Sequence, residues 1–240
     1  MDYSNLLNGK FAIVTGGTRG IGLAIATSLL DGGASVAVCG RSRQSLDLAL
    51  GELSPQRKGK VIGRVADVRS SDDVASFFKF VEKEFEGIDI LVNNAGVGIF
   101  RSVAELTIED WRTTMDTNLS GVFYCCREAL PRMINRGGGS IINISSLAGR
   151  NPFAGGSAYN ASKFGLNGFS EAMMLDHRHD KVRVTYVMPG SVDTEFGRGS
   201  QHSSWKIAPE DVAQVVMNVL AMPERTLVSR VEMRPSVPPK

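Results

Sequence analysis

Cysteine is nearly absent from this chain: Cys39, Cys125 and Cys126 are the only three in 240 residues, odd in number and two of them adjacent. That arithmetic supports neither a disulfide framework nor a zinc site. Histidine is just as scarce, and His177, His179 and His202 show no ligand spacing, so they read as surface residues and no metal is expected. No apolar run approaches the ~18 residues that span a bilayer, so no membrane partner is expected. The start, Met1-Asp2-Tyr3-Ser4-Asn5, lacks a basic segment followed by an apolar core, and no secretory leader is expected; a cytoplasmic location is the default. The formal net charge is only +2, too small to make nucleic acid or an anionic membrane the main partner. Internal repeats, low-complexity tracts and linkers are missing too, which points to one domain over residues 1–240.

What is present is globular composition, 42% apolar and 22% charged, on a length normal for one large α/β domain. Lys10 to Gly16 is a short apolar run of the kind that forms a buried parallel strand. It leads into Thr15-Gly16-Gly17-Thr18-Arg19-Gly20-Ile21-Gly22, and Leu23 to Leu30 then reads as a helix ended by Gly32-Gly33. Strand, glycine-rich turn, helix is the layout that aims backbone N–H groups and a helix N-terminus at a phosphate. The spacing is Gly-x-x-x-Gly-x-Gly rather than the more usual Gly-x-Gly-x-x-Gly.

Ala34 to Gly40 reads as the second strand. It ends in Cys39-Gly40-Arg41-Ser42-Arg43 with no acid to hold a ribose 2′-hydroxyl. A guanidinium there suits a 2′-phosphate, with Arg19 as a second cation; a solvated basic loop is the plainer alternative. Cys39 reads as strand filler. Lys60 to Ala66 makes a third strand closing on Asp67-Val68. Ser71-Asp72-Asp73 caps a helix whose Val74, Phe77, Phe78, Val81 and Phe85 are core at helical spacing. Ile88 to Val92, the fourth strand, ends in Asn93-Asn94-Ala95-Gly96; the amides either face a ligand at the strand ends or pin neighbouring strands.

Leu106 to Arg136 reads as helix with a break near Asp116-Thr117-Asn118, because asparagine is a modest helix former. Its second half is apolar on more than one face, as for packing against a partner subunit. Gly137-Gly138-Gly139 turns into strand five. Val182 to Val187 is strand six, Pro209 to Leu220 a helix with proline in its first turn, and Thr226 to Met233 a last strand.

Strand five ends at Ser145-Ser146, and a Gly- and Pro-containing loop carries the chain to Tyr159 and Lys163, four apart on one helix face,. A phenol titrates near ~10, and an adjacent ammonium favours the phenolate. Bringing the phenol to neutrality takes roughly 4 kcal/mol, at ~1.36 kcal/mol per unit. With a serine hydroxyl delivered from the strand end, these groups make a general acid/base site for a carbonyl or an alcohol.

On these residues the chain resembles the short-chain dehydrogenase/reductase family in its compact single-domain form. The pieces occur in the family's order: Thr15-Gly16-x-x-x-Gly20-x-Gly22, Asn93-Asn94-Ala95-Gly96, Asn118, Ser146, Tyr159-x-x-x-Lys163 and Pro189-Gly190-x-Val192-x-Thr194. The resemblance implies a doubly wound Rossmann α/β fold, a seven-stranded parallel sheet in order 3-2-1-4-5-6-7 with helices on both faces. It implies that Tyr159 moves the proton, Ser146 positions and polarises the substrate oxygen, and Asn118 holds a water in a relay. Ser146 is preferred over Ser145 because the gap to Tyr159 is the family's usual one. Lys163 holds the nicotinamide ribose and lowers the tyrosine pKa. Val192 and Thr194, after Pro189 and Gly190, hold the carboxamide; Asp67 and Val68 hold the adenine; Asn94, Ala95 and Gly96 border the cofactor; and the loop of Gly16, Thr18, Arg19, Gly20 and Ile21, with Gly22, holds the phosphates. Arg19 and Arg41 match NADP(H)-preferring members, with NAD(H) as the weaker cofactor.

Within the family the 3-oxoacyl-[acyl-carrier-protein] reductases look nearest, but two features depart from them. The segment from Thr194 to Pro209 is short for a substrate lid, and Val228 to Pro235 replaces their usual asparagine–glycine ending. A general carbonyl or sugar-alcohol dehydrogenase is the alternative, and a non-catalytic NADP-binding sensor a remoter one. The substrate is a small carbonyl or alcohol, and a homodimer or homotetramer is expected through the helices around 118–136 and 158–177. In the segment 195–208, Phe196 and Trp205 are the large aromatic apolar groups; Trp205 either lines the pocket or anchors the loop. A lid this short predicts an open pocket that accepts several aldehydes or ketones.

Overall fold

A computed structural model of the chain describes residues 3–54, 59–196 and 203–239. Seven strands form one parallel sheet in the order β3-β2-β1-β4-β5-β6-β7. They are β1 (Phe11–Thr15), β2 (Ser35–Gly40), β3 (Val61–Val65), β4 (Ile90–Asn93), β5 (Gly139–Ile144), β6 (Val182–Pro189) and β7 (Arg230–Met233). The helices are α1 (Gly20–Asp31), α2 (Arg43–Leu53), α3 (Ser71–Glu84), α4 (Ile108–Met115), α5 (Gly121–Asn135), α6 (Ser157–His177) and α7 (Pro209–Leu220). The period-2 alternation of side chains in a strand divides them between two cores. Ala12 and Val14 pack with α1, α2 and α7, while Ile13 between them faces α3, α5 and α6.

Strand order reverses between β1 and β4, the two neighbours on which the sheet was wound in opposite directions. At such a switch point the loops leaving adjacent strands diverge and open a crevice. Among the described residues no helix is long and apolar enough to cross a membrane.

The strand boundaries differ from the sequence expectation by a residue or two, except at the end, where the last strand starts at Arg230 rather than Thr226. Thr226 is instead held in a turn, its N–H donating to Pro223 O at 2.8 Å. The cap of α3 is Ser70 rather than Ser71: its hydroxyl accepts from Asp73 N at 3.1 Å. The sequence reading had no helix after β2, where the structure has α2. Ser42 caps it by accepting from Ser45 N, and Leu46, Ala49 and Leu53 recur at helical spacing on its buried face,.

The expected break in the long helix is a π-helical turn, Asp116–Ser120, in which Gly121 N donates to Asp116 O, one residue further along than in an α-helix. The extra residue swings Thr117 and Asn118 inward, and both are buried. Turns of this kind are frequent at functional sites.

Candidate active site

The carboxyl ends of the strands open into a cleft of about 920 Å³. Gly16 shapes one wall. It has φ +62°, and a Cβ there would come within 2.9 Å of Ala95 Cα, so the turn after β1 lies against the end of β4 only as glycine. Thr15 and Asn94 tie that junction together. The Thr15 hydroxyl accepts from Asn94 N and Ala95 N, each at 3.1 Å, and the Asn94 amide donates to Thr15 O at 3.1 Å and Gly16 O at 3.0 Å. Thr15 heads the glycine motif in the sequence without a role of its own; a threonine ending the first strand gives no sign that it will bind the fourth.

Arg19 precedes α1 with an extended backbone, and α1 has no side-chain cap. The first N–H groups of a helix have no partner within it, and Gly20 and Ile21 present this end to the cleft. Gly22 does not line the cleft. A Cβ on it would sit 2.2 Å from Gly16 O, so it is there to let the helix press against its own turn. Of the residues expected around a cofactor, Gly22 is the one packed against the turn itself.

Along the half beside β2, Thr18, Arg41, Ser42 and Ser45 line the cleft beside Asp67 and Val68. Ser45 escaped the sequence reading along with α2. Arg41 is exposed. Asp67 is clamped by Arg69 at 2.6 Å; that hydrogen bond, with Arg41 as a lesser contributor, holds its carboxyl below the usual range. Its own N–H is taken by Asp73 Oδ2 at 3.0 Å. Cys39 also borders the cleft, but burial pushes its thiol up to about 12, which removes the reactive thiolate and fits strand filler.

In the other half, Ser146, Tyr159, Lys163, Gly96, Pro189, Gly190, Val192 and Thr194 share the same cleft. β5 delivers two serines with different fates. Ser145 is buried and donates to Asn167 Oδ1. Ser146 opens the 3-10 turn Leu147–Gly149 and accepts from Ala148 N at 3.1 Å.

α6 then presents Tyr159 and Lys163 one turn apart, both nearly covered at 8% and 5% exposure. Lys163 Nζ donates to Ile144 O at 2.9 Å and stands 5.8 Å from the centre of the Tyr159 ring. Burial pulls the Lys163 ammonium down to about 8. Burial also raises the Tyr159 phenol above its ordinary range, with Ser146 acting the other way. The sequence anticipated a lowered phenol. Proximity of a cation is legible in the spacing, but the loss of water around both groups is not, and burial outweighs the other influences on the phenol,.

Asn118 does not line the cleft. It is fully buried, and its amide bridges three segments. Nδ2 donates to Val97 O at 2.9 Å and Ser162 Oγ at 3.0 Å, while Oδ1 accepts from Val97 N at 2.8 Å. Both side-chain donors are thus spent on protein, which places Asn118 as a brace between the π turn, the segment after β4 and α6. Asn93 plays the pinning part left open in the sequence, donating to Asn143 Oδ1 at 2.8 Å across β4 and β5.

Part of the segment 195–208, residues 197–202 with His202, lies outside the described residues. Of the rest, Glu195, Phe196 and Lys206 line the cleft, whereas Trp205 is half-buried and does not. Ile207 fastens the far end by a bridge to Val192, its N–H donating to Ser191 O at 3.0 Å.

Fold and cleft together mark an oxidoreductase built on a Rossmann-type sheet. The family model for short chain dehydrogenases matches residues 10–204, and the chain belongs to that family. An uncharacterized oxidoreductase from Staphylococcus aureus (strain MW2) is 32% identical over 231 residues, 96% of this chain and 99% of that protein. Among solved structures, a metagenomic short-chain oxidoreductase in complex with NADP is 36% identical with a TM-score of 0.86, covering 97% of this chain and 100% of that one. An alcohol dehydrogenase from the archaeon Thermococcus sibiricus, complexed with 5-hydroxy-NADP, is 29% identical with a TM-score of 0.89 over 96% and 99% of the two chains.

Proposed function

We propose that this chain is an NADP(H)-dependent reductase that converts a ketone or aldehyde to the alcohol, or runs the reverse reaction, within one catalytic domain. The observation that carries the reading is the convergence of Ser146, Tyr159 and Lys163 on the same cleft as the glycine turn and Arg41. The dinucleotide fits the residues present: the uncapped start of α1 supplies N–H groups for a pyrophosphate,, and β2 ends in Arg41 with no acid, which suits a 2′-phosphate. The NADP-bound relatives support the same choice.

When bound, the cofactor supplies a hydride to the carbonyl carbon. Tyr159 gives its proton to the carbonyl oxygen, and Ser146 donates a hydrogen bond to that oxygen and fixes its place. A phenol held above its ordinary range by burial stays protonated at neutral pH, as an acid must. Lys163, at about 8, remains mainly charged at neutrality and stabilises the phenolate left behind. Lys163 would also hold the ribose. Asn118 fixes the π turn, and any water it contributes to a relay would be held by its acceptor groups. Pro189, Gly190, Val192 and Thr194 would border the nicotinamide end, and Asn94, Ala95 and Gly96 the ribose.

Of the substrate forms, an uncharged ketone or aldehyde is favoured over a 3-oxoacyl group on an acidic carrier protein. Arg101 and Arg150, on the loops that carry Phe100 and Phe153, are already matched by Asp110 at 3.5 Å and Glu232 at 2.9 Å. A homodimer or homotetramer is part of the same reading, supported by the exposed Phe123 of α5 and Phe164 and Leu175 of α6. The test is NADPH oxidation with a panel of ketones and aldehydes, repeated with Arg41→Ala. The native chain should prefer NADPH to NADH. The variant should lose roughly ten- to a hundredfold in NADPH affinity, the worth of one charged hydrogen bond, and keep its NADH affinity. Equal loss for both cofactors contradicts the role of Arg41, and no oxidation with any carbonyl contradicts the activity.

A further inference from the structure

Three phenylalanines from three different loops gather around the Tyr159 ring. Phe100 follows β4, Phe153 follows β5 and Phe196 follows β6. Phe100 stands edge-on to Tyr159, with centroids 5.5 Å apart and ring planes at 84°. Phe196 tilts against the same ring at 5.9 Å. Phe153 packs on both Phe100, at 5.6 Å, and Tyr159, at 6.5 Å. Phe100 and Phe196 line the cleft, and the three remain 46%, 45% and 44% exposed in chain order. Apolar ring surface is thus left facing water next to the group that moves the proton. Gly98 keeps the two lining rings close: a Cβ there would meet Phe100 Cζ and Phe196 Cε1, both at 2.7 Å.

Charge around these rings is matched. Besides the Arg101 and Arg150 pairs, Glu195 pairs with Arg19 at 3.3 Å and Lys206 with Asp193 at 4.0 Å. Among the described residues, this end of the cleft offers rings and the two hydroxyls of Ser146 and Tyr159, not a spare cation for a carboxylate or phosphate.

We propose that Phe100 and Phe196, with Phe153 positioning Phe100, form an aromatic recognition box, and that the substrates are uncharged aryl ketones or aldehydes. The aryl ring seats against Phe100 and Phe196 while the carbonyl reaches Ser146 and Tyr159. Rings already set at 53° to 84° to Tyr159 present both edges and faces. A guest ring gains edge-to-face contacts from them that a saturated ring of equal size does not. The assignment rests on the carbonyl-reduction reading above and narrows its substrate class.

The test compares kcat/KM with NADPH for benzylacetone and for its counterpart with a saturated ring, in which two methylenes insulate the carbonyl from the ring in both. The native chain should favour benzylacetone by roughly three- to tenfold, the worth of one or two aromatic pairs. Phe100→Leu combined with Phe196→Leu should bring the ratio to about one; both ketones are read in the same variant, so a general loss of activity cancels from the ratio, and an unchanged circular dichroism spectrum shows that the variant is folded. Phe153→Leu should lower the ratio part of the way. A native ratio near one, or a ratio unmoved in the double variant, overturns the aromatic box and leaves carbonyl reduction standing. Lack of NADPH oxidation with these and every other carbonyl overturns both.

Discussion

At the scale of the residue, Lys163 has the sharpest physical signature. Its ammonium is buried against Ile144 O and lowered from 10.5 to about 8. Between those values the unfolded chain keeps the lysine proton and the folded chain has released it. The unfolded state then binds more protons, so this group makes stability rise with pH. Lys163→Met has no such group. The stability difference between native chain and variant, measured by urea unfolding without cofactor, should therefore shift in favour of the native chain from pH 8 to 10. A difference that stays constant over that range contradicts a depressed lysine. The tyrosine–lysine pair itself was legible from spacing and side-chain chemistry. The burial of both groups depends on what the sheet and the loops after β4, β5 and β6 lay over them, and no four-residue motif encodes that.

At the scale of the element, the strands were readable because parallel strands are covered on both faces and appear as near-continuous apolar runs, such as Ala12 to Val14. The helix α2 was not, since only Leu46, Ala49 and Leu53 of its eleven residues are buried, a stripe too thin to stand out beside Arg43, Asp47 and Glu52. Asn118 signalled a break in the long helix, but whether a break becomes a kink, a cap or a π turn is decided by partners such as Val97 and Ser162, distant in sequence. The outer side of α5 and α6 keeps large apolar groups. Phe123 is 44% exposed although it packs on Phe169. Phe164 and Leu175, eleven residues apart, share one stripe of α6. If copies of the chain meet there, Phe123→Glu places a charge in an apolar contact and should shift the assembly toward monomer in analytical ultracentrifugation. The secondary structure by circular dichroism should be unchanged. A native chain that sediments as a monomer, or a variant that assembles like the native chain, contradicts that interface.

At the scale of the whole molecule, the strand order and the position of the cleft follow from one another. Reversing the winding direction after β3 puts the turn after β1 beside the end of β4 and leaves the crevice that both halves of the site share. Six short motifs in order were enough to place that crevice, whereas the gathering of Phe100, Phe153 and Phe196 was hidden because their loops meet only in the folded chain. The central claim is that Tyr159 is the proton donor in an NADPH-dependent carbonyl reduction, and replacing one hydroxyl tests it. Turnover of a ketone by Tyr159→Phe should fall by about 10²- to 10⁴-fold, the usual contribution of a general acid. NADPH affinity, read by fluorescence titration, should stay within about threefold, because the ring still packs against Phe100 and Phe196. Retention of more than about a tenth of the native turnover would show that another group supplies the proton and would contradict the account.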